Sequence, residues 1–436
     1  MKMNYSSTDV GTAMHALVAE LYPWCRSITG GGLRQTLARL QQELPLELHE
    51  VPTGTQVFDW TIPKEWNIRD AYIKDASGRR VVDFQASNLH VLNYSVPVRT
   101  KLTWRELQSH LYTLPENPDV IPYRTSYYEE KWGFCLRHRD YLALAQAGPD
   151  TREFEVVIDS TLEPGSLTYG ELFLPGTSSD EVLISSHVCH PSLCNDNLAA
   201  VAVSMQLAKH YSARPHRLSY RFLYMPGTIG AITWLSRNQH RLHHVKHGVV
   251  LSLMGDAGHA NYKRSRHGSA VIDRAFAHVL AHSQLEYTLF DFEPNDYDER
   301  QYCSPGINLP VGRFMRTPNF KYPHYHTSAD NLDAVTPAAL ADSLAKLLSV
   351  TRVLEGDVRY RNLSPCCEPQ LGRRGVYARL GTGPARKTRE AAMQWVLNLS
   401  DGEHSLLDIA ERSRLPFDEV AWAADLLRET ELLAVE

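Results

Sequence analysis

Residues 185–197 read Ser185-Ser186-His187-Val188-Cys189-His190-Pro191-Ser192-Leu193-Cys194-Asn195-Asp196-Asn197. The run before them, Glu181 to Ile184, has the apolar character of a buried strand, and Leu198 to Tyr211 after them has helical apolar spacing. Two imidazoles and a carboxylate are thus expected in a strand-to-helix loop, at the strand end where open α/β folds place their ligands. Histidine and aspartate are N/O donors that suit zinc better than calcium or magnesium. The alternative, on spacing alone, is that Asp196 caps the following helix and the histidines are ordinary loop residues. Cys189 and Cys194 in the same stretch are candidate thiolate ligands or nucleophiles, or simply small buried apolar residues.

Outward from this stretch, the C-terminal direction alternates strand and helix patterns. Leu172 to Leu174, Glu181 to Ser186, Leu218 to Tyr224 and Gly248 to Leu253 read as strands, with helical segments between the later ones. That alternation predicts a mainly parallel or mixed sheet covered on both faces. The loops after the strands carry the chemistry: Pro226-Gly227-Thr228, then Asp256, then Asn295-Asp296-Tyr297-Asp298-Glu299-Arg300-Gln301, then Tyr325-His326-Thr327-Ser328-Ala329-Asp330-Asn331-Leu332-Asp333 ahead of a long helix from Pro337 to Leu354. Asp330 and Asp333 read as turn and cap residues.

In the N-terminal direction, Thr12 to Leu21 is a helix stopped by Pro23, Gly31 to Leu44 a second helix, and Leu46 to Val51 a strand. From Val57 to about Trp132 the texture changes to short runs such as Ala71 to Ile73, Val81 to Phe84 and Leu89 to Leu92, broken by Gly, Asn, Asp and Pro. Little in that stretch is helical beyond Trp104 to Tyr112, which predicts an all-β insertion that shapes or covers a site. At the other end a linker around Gly381 to Pro384 precedes helices over Ala391 to Leu399, Leu406 to Arg412 and Phe417 to Thr430, with a helix-turn-helix corner at Leu415-Pro416. The third of these offers Arg428 against Asp418, Glu419, Asp425 and Glu429. Acidic side chains repel phosphates, so this tail reads as a packing or homo-oligomerisation module rather than a nucleic-acid reader.

The chain has 436 residues, 43% of them apolar, and can bury the cores of two or three domains. A formal charge of −5 gives no basic bias toward nucleic acid. Met1 to Ser7 lacks a signal-peptide pattern, and no run approaches the roughly 18 apolar residues of a membrane span. The seven cysteines, without paired spacing, fit a reducing compartment, so the expectation is a cytoplasmic protein without membrane contact.

The order His187, Asn195-Asp196-Asn197, the strand-end loop at 226–228, Asp256 and Tyr325-His326-Thr327-Ser328 resembles the zinc aminopeptidases of the bacterial leucyl aminopeptidase and glutamate carboxypeptidase type. More narrowly it resembles a bacterial aminopeptidase-like group whose catalytic domain carries a β insertion and a C-terminal winged helix. Matching segments also include Tyr262-Lys263-Arg264-Ser265-Arg266 and Asp298-Glu299-Arg300-Gln301, and the likeness covers nearly the whole chain. It implies a zinc-exopeptidase-like mixed sheet covered by helices over residues 1–54 and 135–362, an all-β insertion over 55–134, and a winged-helix domain over 363–436.

The resemblance also implies a ligand set for one or two zinc ions: His187 as first metal histidine, Asp196 as bridging carboxylate, Asp256 on the first zinc and His326 on the second. The wider family has a paired Glu-Glu, a general base and a ligand, where this chain has Gly227-Thr228. It has an aspartate orienting its metal histidine where this chain has Cys189. With Gly227 unable to accept a proton, Glu299 is the substitute catalytic candidate and His190 the alternative; Glu299 otherwise reads as a solvated or Arg300-paired surface carboxylate. Lys263, Arg264 and Arg266, with Tyr325, are candidates for binding a substrate carboxylate or phosphate; a bare charge run otherwise reads as a solvated face. Three functions stand at this level: a zinc aminopeptidase cleaving small peptides or amides, a hydrolase or deacylase of a small-metabolite or sugar-linked amide, and a scaffold without activity.

Overall fold

The computed structural model describes residues 7–436, so the reading of Met1 to Ser7 falls, except for Ser7, outside them. Two compact units result. One comprises the described residues up to Gly268 together with Thr288–Leu344; the other comprises Ser269–Tyr287 with Ala345–Glu436.

An eight-stranded sheet organises the first unit, in the spatial order Glu47–Pro52, Ser166–Leu174, Ser219–Met225, Glu181–His187, Val245–Leu251, Val311–Met315, Ala260–Lys263 and Tyr287–Phe290. The strands Ser219–Met225, Glu181–His187, Val245–Leu251 and Val311–Met315 run parallel, and antiparallel strands flank them. All residues of Glu181–His187, Ser219–Met225 and Val311–Met315 are buried, which explains their near-continuous apolar sequence. Arg221 interrupts that pattern and is satisfied by Glu181, with Nε donating to Oε2 at 2.7 Å and Nη2 to Oε1 at 2.8 Å, and by Glu171. The carboxyl ends of the parallel strands converge, placing His187, Gly227, Asp256 and Thr317 along one edge of the sheet.

The β insertion is present, but it does not close at residue 134. Its four-stranded antiparallel sheet has the order Arg80–Asp83, Glu65–Lys74, Glu153–Glu163, Val98–Thr103, and Glu65–Lys74 pairs along its whole length with Glu153–Glu163. The return of helical texture at His138–Gln146 marks a helix between strands, not the end of the β unit. Leu89 to Leu92 is not a strand; Asn88–His90 forms a 3-10 turn and Val91 makes only an isolated bridge to Phe134.

In the second unit, Arg359–Asn362 is the central strand of a three-stranded sheet, between Asp401–Ser405 and Leu433–Val435. The winged helix therefore starts before residue 363, because its sheet needs that strand. Helices Pro384–Leu399, Leu406–Ser413 and Phe417–Glu429 complete it, and Ser405 opens the second of them with a capping box to Asp408. Helix Val271–His282 joins this unit through Arg274, which pairs with Asp408 and Glu411.

Candidate active site

His187 ends its strand level with Met225 of the neighbouring one. The chain then loops through Pro191 and reaches a stretch, Cys194–Ala199, whose backbone leaves helical geometry at Asp196 and Asn197, so that regular helix begins only at Ala200. Asp196 consequently does not cap the helix. Its Oδ1 lies 2.9 Å from His187 Nε2, and its Oδ2 lies 3.1 Å from His326 Nε2 and 4.0 Å from His190 Nε2. The donor atoms of His187, His190 and Asp196 all lie within 4.8 Å of one another. His190 thus belongs with the ligand candidates.

The motif Asn195-Asp196-Asn197 divides into one central carboxylate and two anchors. Asn195 Nδ2 donates to Asp256 Oδ2 at 2.8 Å and its Oδ1 accepts from Gly255 N at 2.7 Å. Asn197 Nδ2 donates to His187 O at 3.1 Å and Leu251 O at 3.2 Å, and its Oδ1 accepts from Leu253 N. Both asparagines tie the loop to the end of strand Val245–Leu251, leaving Asp196 to project among the histidines.

Asp330, read from sequence as a turn residue, holds the same loop from the other side. Its carboxyl accepts from Asn195 N at 2.8 Å, Asp196 N at 2.9 Å and the Tyr322 hydroxyl at 3.0 Å, and burial raises it to about 7 against those bonds. Asp330→Ala is expected to weaken zinc binding by about 10–100-fold, the usual consequence of losing a group that positions a ligand, as read by titration against a zinc chelator.

His326 is positioned by the β insertion. Tyr123 N donates to His326 O at 2.7 Å, Ser328 N donates to Ile121 O, and Ile121 N donates to Ser328 Oγ. The Tyr325 ring stacks on the His326 ring at 3.9 Å, so Tyr325 orients an imidazole rather than lining the cavity. His326 and Thr228 both hold positive φ, at 53° and 61°, a strained conformation for residues with a side chain that often accompanies functional loops.

Asp256 stands apart from the imidazoles. Its two oxygens accept from Asn195 Nδ2, Gly258 N, Thr317 N and Thr317 Oγ1 at 2.5 to 3.3 Å. Four donors occupy the lone pairs a metal would need, so in this chain Asp256 braces the loop instead of joining the cluster.

Glu299 is neither a cavity base nor a surface carboxylate. It is fully buried, with Oε1 2.9 Å from Lys263 Nζ, and Lys263 also reaches Asn295 and Asp296. Arg264 faces Asp291 at 3.8 Å and Arg266 donates to Asn308 at 2.9 Å. The basic run therefore makes internal and local pairs and forms no substrate clamp. Removing one partner of a buried pair costs about 3–5 kcal/mol, so Glu299→Gln should lower the denaturation midpoint correspondingly while the folded protein keeps its zinc.

The Gly227-Thr228 position has been filled from elsewhere. A Cβ at residue 227 would meet the Tyr297 hydroxyl at 1.8 Å, and the Tyr297 ring packs against His187 with centroids 4.1 Å apart. Glycine is required there because a tyrosine occupies the space. Next to it Asp298 Oδ1 accepts from Thr228 N at 2.6 Å, whereas Oδ2 is buried without a hydrogen bond; burial pushes this carboxyl up to about 7. Cys189 Sγ accepts from Gly227 N at 3.3 Å and lies 3.5 Å from His190 Nδ1, and burial pushes the thiol up to about 12, so it is a neutral thiol rather than a thiolate ligand. Cys194 is likewise a buried free thiol.

Electrostatically the cluster sets one carboxylate among three imidazoles. Burial lowers His187 and His190 below the usual histidine range. For Asp196 burial acts in the raising direction, and the surrounding imidazoles of His190, His187 and His326 overcome it and hold the carboxyl well below its ordinary value. Neutral imidazole and ionised carboxylate are the ligand forms a zinc ion takes. His326 Nε2 supplies a direct test of fit: it is buried, 3.1 Å from Asp196 Oδ2, and has no aligned hydrogen bond. His187 Nε2 is hydrogen-bonded to Asp196 Oδ1, whereas His326 Nε2, close to the other oxygen, is not; an orphaned imidazole nitrogen beside a carboxylate suits a shared cation, and the donor set fits zinc.

A mixed sheet with a parallel centre, a His/Asp cluster at its carboxyl edge, a β insertion and a C-terminal winged helix define an aminopeptidase-like protein with the fold of the bacterial zinc aminopeptidases. The solved zinc aminopeptidase from Bacillus subtilis superposes with a TM-score of 0.58 over 81% of this chain and 96% of that one at 12% identity. An M28 peptidase precursor from Shewanella amazonensis gives 0.54 over 80% and 96% at 14% identity; these two share the fold. The chain belongs to the family described as "Domain of unknown function (DUF4910)", matched over residues 15–357, and carries a winged helix-turn-helix over 358–435. A Clostridium acetobutylicum protein described as "Putative polysaccharide biosynthesis protein with aminopeptidase-like domain" is 50% identical over 98% of this chain and 97% of its own length. The crystal structure of a "putative peptidase" from the same species superposes with a TM-score of 0.93 at 48% identity, over 99% of this chain and 97% of that one.

Proposed function

We propose that this chain is a zinc-dependent amide hydrolase of aminopeptidase-like type, with His187, His190, Asp196 and His326 as ligands of a single ion. The observation that carries the reading is the convergence of three imidazole nitrogens on the two oxygens of buried Asp196 at the carboxyl edge of a parallel sheet. A bound zinc in such a site lowers the pKa of water to about 7 and polarises an amide carbonyl. One ion rather than two follows from Asp256, whose lone pairs are already committed.

The residues around the cluster supply positioning and proton transfer. Asp298 Oδ2 takes the proton of the attacking water as its oxygen bonds to the carbonyl carbon. The same proton passes to the nitrogen as the C–N bond breaks, giving a carboxylic acid and an amine. Tyr297 packs on His187 and presents its hydroxyl at the place of the absent residue-227 side chain, toward the developing oxyanion. Among the described residues no helix is long and apolar enough to cross a membrane. Under this reading the chain works in the reducing cytoplasm, which its cysteine spacing suits, and the winged helix joins chains of the same protein rather than binding nucleic acid.

The test is the zinc content of the purified protein by elemental analysis, with hydrolysis of an amide panel before and after chelation. About one zinc per chain and zinc-restored hydrolysis are expected. Absence of zinc after reconstitution would leave the scaffold reading in its place.

A further inference from the structure

Beside the cluster lies a cavity of ≈ 410 Å³, at the small end of the roughly 300–1,000 Å³ range of small-molecule sites. Its walls are tyrosines: Tyr123, Tyr127 and Tyr128 from the β insertion, and Tyr297 opposite, with His190 and His326 among the lining residues. Among the described lining residues there is no aspartate or glutamate, and Arg124 is the one carrying a fixed charge. The Arg124 side chain is exposed, and its guanidinium has no ion pair or hydrogen-bond partner among the described residues. Behind His190, Arg26 is fully buried with no carboxylate partner among the described residues. Its Nε donates to His190 O at 2.8 Å and its Nη1 to Leu21 O at 2.6 Å, and its Nη2 is without a hydrogen bond.

Resting on the hydrolase reading above, we infer that the cavity takes an N-acylated sugar bearing a carboxylate or phosphate, and not a peptide with a free amino terminus. An ammonium entering a confined site must be met by an anion, because an unpaired charge removed from water is costly. Here Asp196 is engaged by three imidazoles, and Asp298, held at Oδ1 by Thr228 N, has only Oδ2 left, which the hydrolase reading reserves for the attacking water. The free charge is positive at Arg124, and Arg26 adds a second uncompensated positive charge behind the site. A guanidinium forks onto two oxygens of a carboxylate or phosphate. The tyrosine faces match the apolar C–H face of a pyranose, and their hydroxyls, with Tyr123 and Tyr127 2.8 Å apart, offer polar partners at the ring's rim. The amide of an N-acyl group is then the bond presented to the cluster, and its hydrolysis releases the acid and the amino sugar.

The test uses the zinc-loaded protein with N-acetylglucosamine 6-phosphate, N-acetylglucosaminuronate, N-acetylglucosamine and leucine p-nitroanilide. Binding is measured by calorimetry and hydrolysis by release of acetate or nitroaniline. At least one anionic sugar should bind 10-fold or more tightly than the neutral sugar. Arg124→Ala should remove that advantage without changing the neutral sugar's affinity, and Arg124→Lys should restore part of it. Preference for the phosphate or for the uronate identifies the anion. Equal binding of charged and neutral sugars, an advantage that survives in Arg124→Ala, or preference for the leucine amide would each overturn the inference. Selective binding without zinc-dependent turnover would remove the hydrolase reading and leave the ligand assignment standing.

Discussion

Asp196→Ala should yield a folded protein that retains no zinc and hydrolyses no amide above the level of chelated wild type. Among the described residues Asp196 is the one carboxylate the three imidazoles share, with His187 Nε2 at 2.9 Å, His326 Nε2 at 3.1 Å and His190 Nε2 at 4.0 Å. Removing it leaves imidazoles with no countercharge for a divalent ion. The loop need not collapse, because Asn195, Asn197 and Asp330 hold it through bonds that do not use the Asp196 side chain. Circular dichroism and elemental analysis of the variant check both halves of the result. Wild-type zinc content in Asp196→Ala, or in His187→Ala, would refute the ligand assignment.

The second large effect is expected at Asp298. Asp298→Asn keeps the size of the side chain and an oxygen to accept from Thr228 N, yet cannot take a proton from water, so kcat should fall by about 10²–10⁴ with zinc content unchanged. Because burial pushes this carboxyl up to about 7, wild-type kcat should rise with pH through a limb near 7, and the variant should lack that limb. Stability carries a matching signature. Between the ordinary carboxylate value near 3.9 and about 7, the folded state holds the proton and the unfolded state has lost it. Folding stability therefore decreases as pH rises across that window, and Asp298→Asn should make the decrease smaller, Asp330 with its carboxyl raised to the same value keeping the remainder, as read from unfolding midpoints at pH 5 and pH 8. Unchanged kcat in the variant would assign the proton transfer to another group. Glu299→Gln is the internal contrast: adjacent in sequence, it should affect the unfolding midpoint while the folded protein keeps its turnover.

Much of this architecture is legible in one dimension. The parallel strands announce themselves as apolar runs because both faces are covered, and the ligand loop is recognisable because Glu181 to Ile184 is followed by closely spaced histidines and an acidic turn. The winged helix is visible in three short amphipathic helices with a corner at Leu415-Pro416. What misleads is local context. The helix His138–Gln146 hides the return strand Glu153–Glu163, so the β insertion looks complete at 134 when Glu65–Lys74 and Val98–Thr103 still lack the strand that lies between them.

The site divides in the same way. His187, Asp196 and His326 are evident from sequence as isolated polar residues at element ends, and the tertiary structure brings Asp196 to 2.9 Å from His187 Nε2 and 3.1 Å from His326 Nε2. The roles of Asp256, Glu299 and Lys263 are decided by partners distant in the chain. Thr317 and Asn195 occupy the lone pairs of Asp256, and Lys263 sits 36 positions from the Glu299 it neutralises. Tyr297 and Asp298 lie within a segment conspicuous for its carboxylates, but nothing in it tells which side chain reaches Gly227. Sequence by itself determined the residue types and the loops that carry them, because hydrophobic period and element ends are local properties. Which carboxylate is free, which is paired and which aromatic fills a glycine's space were decided only by tertiary structure, since hydrogen-bond saturation and excluded volume depend on neighbours that sequence separation conceals.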